Sequence, residues 1–339
     1  MFKPEFTYTN KIVNHIARIA SAREIIVNAK ILPLYDTQLK QDALIRSSHH
    51  STSIEGNPLN LDEVKTLITS NQKAVTKAEQ EVLNYFNVLN HLEKYSDKNI
   101  TKDTILSLHE DLTKDLLRNS AYEGKFRDTS VIIGNIHTKQ INYVPPDAYK
   151  VPYLLDELID WLNNSTSEIY PVITAGILHY ELVRIHPFID GNGRTSRIMA
   201  TLILSMNEFN IDNYFTLDEY YNQDRQAYVD ALNSADKNHD LTIWLEYFCQ
   251  GVLYSIEKIK NEVLSLAQIT SKYDNTIELT PNEISVLILL EEKQCIKNKD
   301  IQNRLNISSQ ASYKIIKKLK DKKLIKSIGK GRSTQYILE

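Results

Sequence analysis

Apolar residues recur at helical spacing along most of this 339-residue chain, and this periodicity limits the folds that it can adopt. The segments 12–29, IVNHIARIASAREIIVNA, and 78–95, AEQEVLNYFNVLNHLEKY, show the pattern over several turns. Glycine and proline, which commonly end helices, occur only nine times each. The sequence therefore predicts a mostly α-helical protein.

Composition narrows the class of protein. A hydrophobic content of 42% and a charged content of 24% are ordinary for a globular protein. The net charge of −3 provides no overall attraction to a polyanion. The first ten residues, MFKPEFTYTN, do not resemble a signal peptide, and no apolar stretch reaches the roughly 18 residues of a membrane span. We therefore expect a cytoplasmic protein without a membrane segment.

Residues 129–146, TSVIIGNIHTKQINYVPP, depart from the helical pattern. β-branched and polar residues alternate there around a polar middle, and two prolines end the segment. The alternation predicts a β-hairpin with His137, Thr138 and Lys139 near its tip.

The pattern changes again after about residue 275. Thr280, Pro281 and Glu283 form a helix-start signal, and two further helices are predicted over 297–306 and 308–323. Residues 325–338, IKSIGKGRSTQYIL, predict two strands joined by a glycine-containing turn. The order of helix, helix, basic helix and β-wing is typical of a winged helix-turn-helix.

Lysine is concentrated in the third of these helices and in the wing. The basic residues are Lys314, Lys317, Lys318, Lys320, Lys322, Lys323, Lys326, Lys330 and Arg332. Such a surface suits contacts with DNA phosphates, while the first turn of the helix offers little for reading bases. Docking of a protein partner, dimerisation and a merely solvated lysine face fit the same surface.

The segment HPFIDGNGRTSR, residues 186–197, joins two stretches of helical periodicity. We predict a loop over 187–192 and a helix from about Gly193. Glycines on both sides of Asn192 leave backbone N–H groups free to meet a ligand, and the helix N-terminus adds the positive end of its dipole. This combination predicts an anion site, for which phosphate is the natural ligand.

Charged side chains around this loop fit a nucleotide. Arg194 and Arg197 share a helix face and can clamp phosphate oxygens. Asp190 would repel phosphate unless a cation lies between them, and Mg²⁺ is bound in proteins by one carboxylate together with phosphates. His186, when neutral, can accept a proton from an attacking hydroxyl. Phe188 is interpreted as the apolar anchor of the loop.

HPFIDGNGRTSR resembles the Fic family motif HPFx(D/E)GNGRxxR at every specified position. The resemblance implies a helical enzyme that transfers AMP from ATP to a Ser, Thr or Tyr hydroxyl of a protein. It implies His186 as the general base, Asp190 as the Mg²⁺ ligand and Arg197 as the γ-phosphate ligand. The ATP-binding set that it implies is Gly191, Asn192, Gly193, Arg194, Thr195, Ser196 and Arg197, with Tyr228 flanking the adenine or serving as a core residue.

The predicted hairpin looks like the family's flap, which pairs with an extended segment of the target. The resemblance thus assigns Ile136, His137, Thr138 and Lys139 to target docking. The expected architecture is mostly α, with a Fic-type helical core, a short β-hairpin flap and a small C-terminal winged helix-turn-helix domain. The expected divisions are an N-terminal helical region 1–100, a core 101–250, a helical connector 251–275 and a winged helix 276–339.

A second motif, STSIEG over residues 51–56, lies at the end of a helix predicted over 37–55. The helix dipole disfavours Glu55 at that end, so a cation should face it. The segment resembles the family's inhibitory motif (S/T)xxxE(G/N), with Ser51 and Glu55 at its specified positions. The resemblance implies that Glu55 pairs with Arg197 and blocks productive ATP binding.

Several functions stay open for this sequence. The same loop could transfer a uridylyl, phosphate or phosphocholine group, or could remove AMP from a modified protein. A DNA-binding regulator with a nucleotide-sensing core is a rival of another class. The expected partners are ATP and a target protein, with self-modification, a homodimer and a DNA or protein contact of the winged helix as further expectations.

Overall fold

A computed structural model describes residues 2–29, 33–70, 73–96, 99–135, 140–164, 166–209, 214, 216–272, 279–305, 307–329, 331 and 334–339. Within these residues the chain is mostly helical. The helices are α1 Asn10–Asn28, α2 Pro33–Ile54, α3 Leu61–Thr69, α4 Lys77–Asn90, α5 Lys102–Thr113, α6 Val151–Asn164, α7 Pro171–Ile185, α8 Asn192–Met206, α9 Leu217–Gln223, α10 Arg225–Asn238, α11 Thr242–Lys272, α12 Pro281–Lys293, α13 Asn298–Leu305 and α14 Ser309–Asp321. The strands are β1 Ile133–Asn135, β2 Gln140–Tyr143, β3 Ile325–Ile328 and β4 Gln335–Leu338.

The contacts divide the chain into two compact units. The first contains residues 1–24 and 40–258, and the second contains 25–39 and 259–339. The four divisions expected from the sequence stay predictions. Among the described helices, none combines the length and the apolar character needed to cross a bilayer.

Helix α7 is the centre of the first unit. Its residues are buried almost without exception, because α8 covers one side and residues of α11 cover another. Gly176 makes the second approach close: a Cβ there would lie 2.8 Å from a Leu245 methyl and 3.0 Å from the Phe248 ring. Trp244 fixes the same contact by donating its ring N–H to the Gly176 carbonyl at 2.8 Å. Helix α7, which leads into the loop after Ile185, is therefore packed closely against α11.

The predicted hairpin is present. Strands β1 and β2 pair antiparallel, with Ile133 opposite Tyr143 and Asn135 opposite Gln140. The Tyr143 hydroxyl donates to the Arg184 carbonyl at 3.0 Å and ties the base of the hairpin to α7. The expected docking residues Ile136, His137, Thr138 and Lys139 lie outside the described residues.

The second unit contains the winged helix, as predicted. Thr280 and Glu283 form a reciprocal capping box at the start of α12. Ser308 caps α14, and β3 pairs antiparallel with β4 to form the wing. Apolar residues of α12, α13 and α14 share one core with the wing, and members of it such as Leu287, Ile301 and Leu319 are fully buried.

Candidate active site

The loop between α7 and α8 carries the candidate base. His186 ends α7 in the left-handed conformation (φ 51°, ψ 61°), which an L-residue adopts at a cost of about 1–2 kcal/mol. Asn192 then closes the loop, because its side-chain amide accepts from Phe188 N–H at 2.9 Å and donates to the Phe188 carbonyl at 2.8 Å. These two bonds make Asn192 the first residue of α8, one position earlier than predicted.

His109 of α5 packs against this loop. Its ring stacks on the fully buried Phe188 ring with centroids 3.6 Å apart. Gly124 N–H donates to His109 Nδ1 at 3.1 Å, so the proton is on Nε2, which donates to the Asp190 carbonyl at 2.9 Å. Burial lowers the pKa of His109 to about 4 and keeps the ring neutral. Phe188 is thus the anchor that the sequence indicated, and His109 is its partner.

His186 is also held neutral. Burial is the main cause that lowers its pKa to about 4, and the Arg127 charge acts in the same direction. Its Nδ1 lies 3.3 Å from the Val183 carbonyl, which can only accept, so Nδ1 carries the proton. The lone pair of Nε2 is therefore available to a substrate proton.

Arg127 holds the backbone of this residue. Its Nε donates to the His186 carbonyl at 2.8 Å, and its own N–H donates to the Pro187 carbonyl at 2.9 Å. The side chain is 3% exposed.

The first turn of α8 faces a carboxylate. Gly191 is the N-cap residue, with φ 81°, and Gly193 follows in the first turn. A Cβ at Gly193 would overlap Glu55 Oε1, so that only glycine admits the carboxylate at this distance. An anionic oxygen thus already lies at the helix N-terminus, where the dipole and unpaired N–H groups favour negative charge.

Thr195 and Ser196 point elsewhere. The Thr195 hydroxyl donates to the Gly191 carbonyl at 2.9 Å, and the Ser196 hydroxyl donates to the Asn192 carbonyl at 2.8 Å. Both side chains are buried and bonded along their own helix. Their assignment to ATP binding stays a prediction.

Arg197 is buried and surrounded by acceptors. Its Nη2 lies 2.9 Å from Glu55 Oε1 and donates to the Ser51 carbonyl at 3.0 Å, while its Nε donates to Ser51 Oγ at 2.8 Å. Asp218 of α9 lies 3.3 Å from Nε. Burial alone would lower the pKa of Arg197, but the Glu55 carboxylate raises it above its usual value. The two inhibitory-motif residues therefore meet this arginine, with Glu55 one residue beyond the end of α2.

Glu55 is charged in this arrangement. Burial raises the pKa of its carboxyl, but the guanidinium groups of Arg197 and Arg194 outweigh burial and hold the pKa below its usual value.

Arg194 has its own carboxylate partner. Its Nη1 lies 2.6 Å from Glu81 Oε1 of α4, and its Nη2 lies 3.4 Å from Asp190 Oδ1. Asn57, just past Glu55, donates to Glu81 Oε2 at 2.7 Å. Both arginines of the segment thus pair with carboxylates from the N-terminal part of the chain.

Asp190 has the properties that a Mg²⁺ ligand needs. Its side chain is half exposed, and its Oδ1 accepts from Gly191 N–H at 2.6 Å. Among the described residues Oδ2 has no hydrogen-bond partner, and no cluster of three or more acidic, His or Cys ligands occurs. One free carboxylate oxygen beside an anion site suits an ion that takes its remaining ligands from phosphate and water.

Tyr228 lies in a buried aromatic cluster. Its ring is 5% exposed and stacks on Tyr221 with centroids 4.5 Å apart. Its hydroxyl lies 2.8 Å from His179 Nε2, and burial raises its pKa to about 12. These are contacts of a core residue, and the adenine-flanking role stays a prediction.

Four residues at the site were not found from the sequence: Glu81, His109, Arg127 and Asp218. His109 had a signal, because it lies one turn from Ile105 on the apolar face of α5. Glu81 and Asp218 lie in ordinary helical segments, and the sequence contains no signal of their role at the site.

Comparisons with known proteins identify two families that this chain resembles. Residues 99–204 match the Fic/DOC family and residues 279–328 match the MarR family. The Drosophila willistoni protein adenylyltransferase Fic is 31% identical over 171 residues, which are 49% of this chain and 32% of that protein. The Caenorhabditis elegans protein adenylyltransferase fic-1 is 33% identical over 173 residues, which are 48% and 32%. The chain thus spans about a third of the length of these relatives.

Solved structures share the fold. A Fic family protein from Desulfovibrio desulfuricans G20 aligns with a TM-score of 0.68 and 24% identity over 100% of this chain and 98% of its own. The fragment 134–508 of C. elegans Fic-1 aligns with a TM-score of 0.59 and 24% identity over 75% and 74%. Residues 99–204 of this chain therefore form a Fic/DOC family domain, and a winged helix that matches the MarR family follows it.

Proposed function

We propose that this protein is an adenylyltransferase that moves AMP from ATP to a Ser, Thr or Tyr hydroxyl of a protein, and that Glu55 inhibits it. The relatives named protein adenylyltransferase, at about 30% identity over half of the chain, support the reaction class. One observation carries the proposal. The Glu55 carboxylate lies against Gly193 and Arg197, where phosphate oxygens would bind, and its charge acts on the neutral imidazole of His186.

The reaction joins a target hydroxyl oxygen to the α-phosphorus of ATP. His186 Nε2 takes the hydroxyl proton as the new P–O bond forms, and the bond from the α-phosphorus to the bridging oxygen breaks. Pyrophosphate leaves with that electron pair. The Nδ1–H contact with the Val183 carbonyl keeps the acceptor lone pair on Nε2 and stabilises the imidazolium that forms.

The first turn of α8 would bind the α- and β-phosphates through backbone N–H groups, with Arg194 and Arg197 on the outer phosphates. Asp190 Oδ2 would hold Mg²⁺ together with phosphate oxygens. When bound, Mg²⁺ neutralises triphosphate charge and stabilises the leaving pyrophosphate.

Inhibition follows from competition for one arginine. Arg197 is 3% exposed and already bonded to Ser51 and Glu55, so a γ-phosphate can reach it only after the carboxylate leaves. A triphosphate bound beside Glu55 would meet a like charge, and its α-phosphorus would lie away from the line of attack.

A labelled-nucleotide assay tests the proposal. The wild type and Glu55→Gly are incubated with Mg²⁺ and ATP labelled at the α- or the γ-phosphate, and labelled protein is mapped to its modified residue. The expected result is α-label, but no γ-label, on a hydroxyl residue, with more label for Glu55→Gly. Equal labelling by both proteins would refute inhibition, and γ-label would indicate phosphate transfer instead.

Further arms of the same assay distinguish AMP transfer from related reactions. UTP and GTP, α-labelled, test nucleotide choice, and a pre-labelled protein incubated without ATP tests removal of AMP. Label on the chain itself measures self-modification. A protein that binds ATP without transferring any label would be the nucleotide-sensing regulator.

A second candidate function is DNA binding by the winged helix, favoured by the exposed lysines of α14. Lys314 and Lys317 lie on its exposed face beside the 59% exposed Tyr313. Lys322, in contrast, pairs with Glu283 at 2.9 Å and belongs to the fold of the unit. Binding to duplex DNA that weakens with salt and is lost in Lys314→Gln/Lys317→Gln would support this function. No binding at low salt would leave protein docking and a merely solvated lysine face as the alternatives.

A further inference from the structure

Arg127 is a buried cation with an unusual set of partners. Its side chain is 3% exposed, and burial lowers its pKa. The Asp147 charge opposes this shift, but no ion pair joins Arg127 to a carboxylate among the described residues. Buried charges are normally paired with an opposite charge, because desolvation of a lone ion is costly. The guanidinium instead donates to main-chain carbonyls alone.

Two of these carbonyls belong to the end of α7. Nε donates to His186 O at 2.8 Å, and Nη2 reaches Ile185 O at 3.4 Å. The last carbonyls of a helix have no partner within the helix, and the negative end of the dipole attracts a cation there. The guanidinium therefore stabilises the left-handed conformation of His186 directly.

The other two carbonyls bracket the hairpin. Nη1 donates to Thr129 O at 3.0 Å, before β1, and Nη2 donates to Pro146 O, after β2. The Arg127 guanidinium thus binds the main chain on both sides of the hairpin. A guanidinium presents five N–H donors in a fixed fork, so these bonds fix the hairpin base relative to the backbone of His186.

We propose that Arg127 is a positioning residue that fixes the distance between the base of the hairpin, along which the target segment is expected to dock, and the imidazole of His186. The inference rests on the proposed AMP transfer and adds the group that aligns its acceptor. A misplacement of about 1 Å in a reacting pair can reduce the rate about 100-fold. Loss of the fixed N–H donors of the Arg127 guanidinium should therefore affect transfer to a protein more than it affects ATP binding.

The test uses Arg127→Lys and Arg127→Gln in the full chain carrying Glu55→Gly, which serves as the parent. Lys125→Gln is the matched control, since it removes an exposed cation two residues away. Five quantities are measured: kcat and KM for transfer to a protein acceptor, the Kd for ATP with Mg²⁺, the rate of AMP release to water, and the thermal midpoint.

For Arg127→Gln we expect a fall of about 100-fold in kcat/KM for the protein acceptor, with the Kd for ATP within about threefold of the parent. AMP release to water should fall less, because water does not dock on the hairpin. Arg127→Lys, which keeps the charge without the fork, should recover only part of the loss. Lys125→Gln should match the parent.

Two results would overturn the inference. One is an Arg127→Gln variant with the parent's kcat/KM. The other is a parallel loss of ATP affinity, protein transfer and water reaction together with the thermal midpoint, which would indicate a merely structural role. A parent that transfers no AMP would instead refute the proposed function and is recognised before any Arg127 variant is compared.

Discussion

Glu55 Oε1 lies 2.9 Å from Arg197 Nη2 and at the same time contacts Gly193 in the first turn of α8. One carboxylate thus meets both parts of the predicted anion site, the helix N-terminus and a buried guanidinium. Ser51, one helical turn earlier, completes the contact with two further acceptors for Arg197.

Ser51→Ala should weaken inhibition less than Glu55→Gly. The change removes one buried hydrogen bond to Arg197 and keeps the ion pair. A hydrogen bond to a charged group contributes about 1.5–3 kcal/mol. We expect self-labelling by α-labelled ATP to rise between the levels of wild type and Glu55→Gly. Labelling at the wild-type level would show that Ser51 only supports the fold.

Glu81→Gln should strengthen ATP binding and weaken the fold. The Arg194–Glu81 pair is nearly buried, and loss of one partner of such a pair costs about 3–5 kcal/mol. A triphosphate would supply the missing negative charge. Calorimetry in the Glu55→Gly background should give a lower Kd for ATP, with a lower thermal midpoint without nucleotide and a larger rise on adding it. A higher Kd would instead indicate that Glu81 orients Arg194 for phosphate.

His186→Ala should abolish transfer and leave ATP binding nearly intact. Removal of a general base costs about 100- to 10,000-fold in rate. Because the pKa of His186 is about 4 in the folded protein, transfer by the Glu55→Gly parent should persist from pH 7 down to about pH 5. A rate that halves near pH 6.5 would contradict a buried neutral base.

Acid should destabilise the protein through its buried imidazoles. The pKa of His109 is about 4 in the folded protein and 6.5 for an unperturbed histidine, so the unfolded chain binds more protons between these values. The free energy of unfolding therefore decreases as pH falls from about 6.5 to 4, by up to about 1.4 kcal/mol per pH unit for this group.

The matched variant is His109→Gln, which retains a side-chain amide at the Asp190 carbonyl but does not titrate. Denaturant titrations between pH 7 and 5 should give a smaller pH slope for this variant than for the wild type. The difference between the two slopes gives the contribution of His109 alone. Glu181 and Asp218 have raised pKa values in the folded protein, so their protonation increases the free energy of unfolding as pH falls. Equal slopes would show that His109 does not titrate on unfolding.

Local chemistry explains how far the sequence could predict this site. The loop residues act through neighbours in the chain: Asn192 bonds to Phe188, and Gly191 is the left-handed cap of α8. Such contacts follow from spacing and turn chemistry, and the capping box of Thr280 with Glu283 follows in the same way. The contact of Glu55 with Arg197, 142 positions apart, was expected only because both lie in motifs that resemble one family.

Long-range polar contacts without a motif could not be predicted. Arg127 reaches Pro146 and His186, and Glu81 reaches Arg194, through folding of separate segments. Arg127 lies in a mostly exposed stretch, and Glu81 lies on an amphipathic helix. The sequence around each residue would be the same whether its side chain were solvated or buried. Their roles depend on which helices pack together, which spacing does not specify.

The short turn after α2 has a consequence for control. Glu55 meets Arg197 directly, and Asn57, two residues later, holds the carboxylate that meets Arg194. A displacement of this one turn would alter both contacts in a single movement. One movement would thus take Glu55 from Arg197 and the Asn57 bond from Glu81, so that the surroundings of the two guanidinium groups would change together.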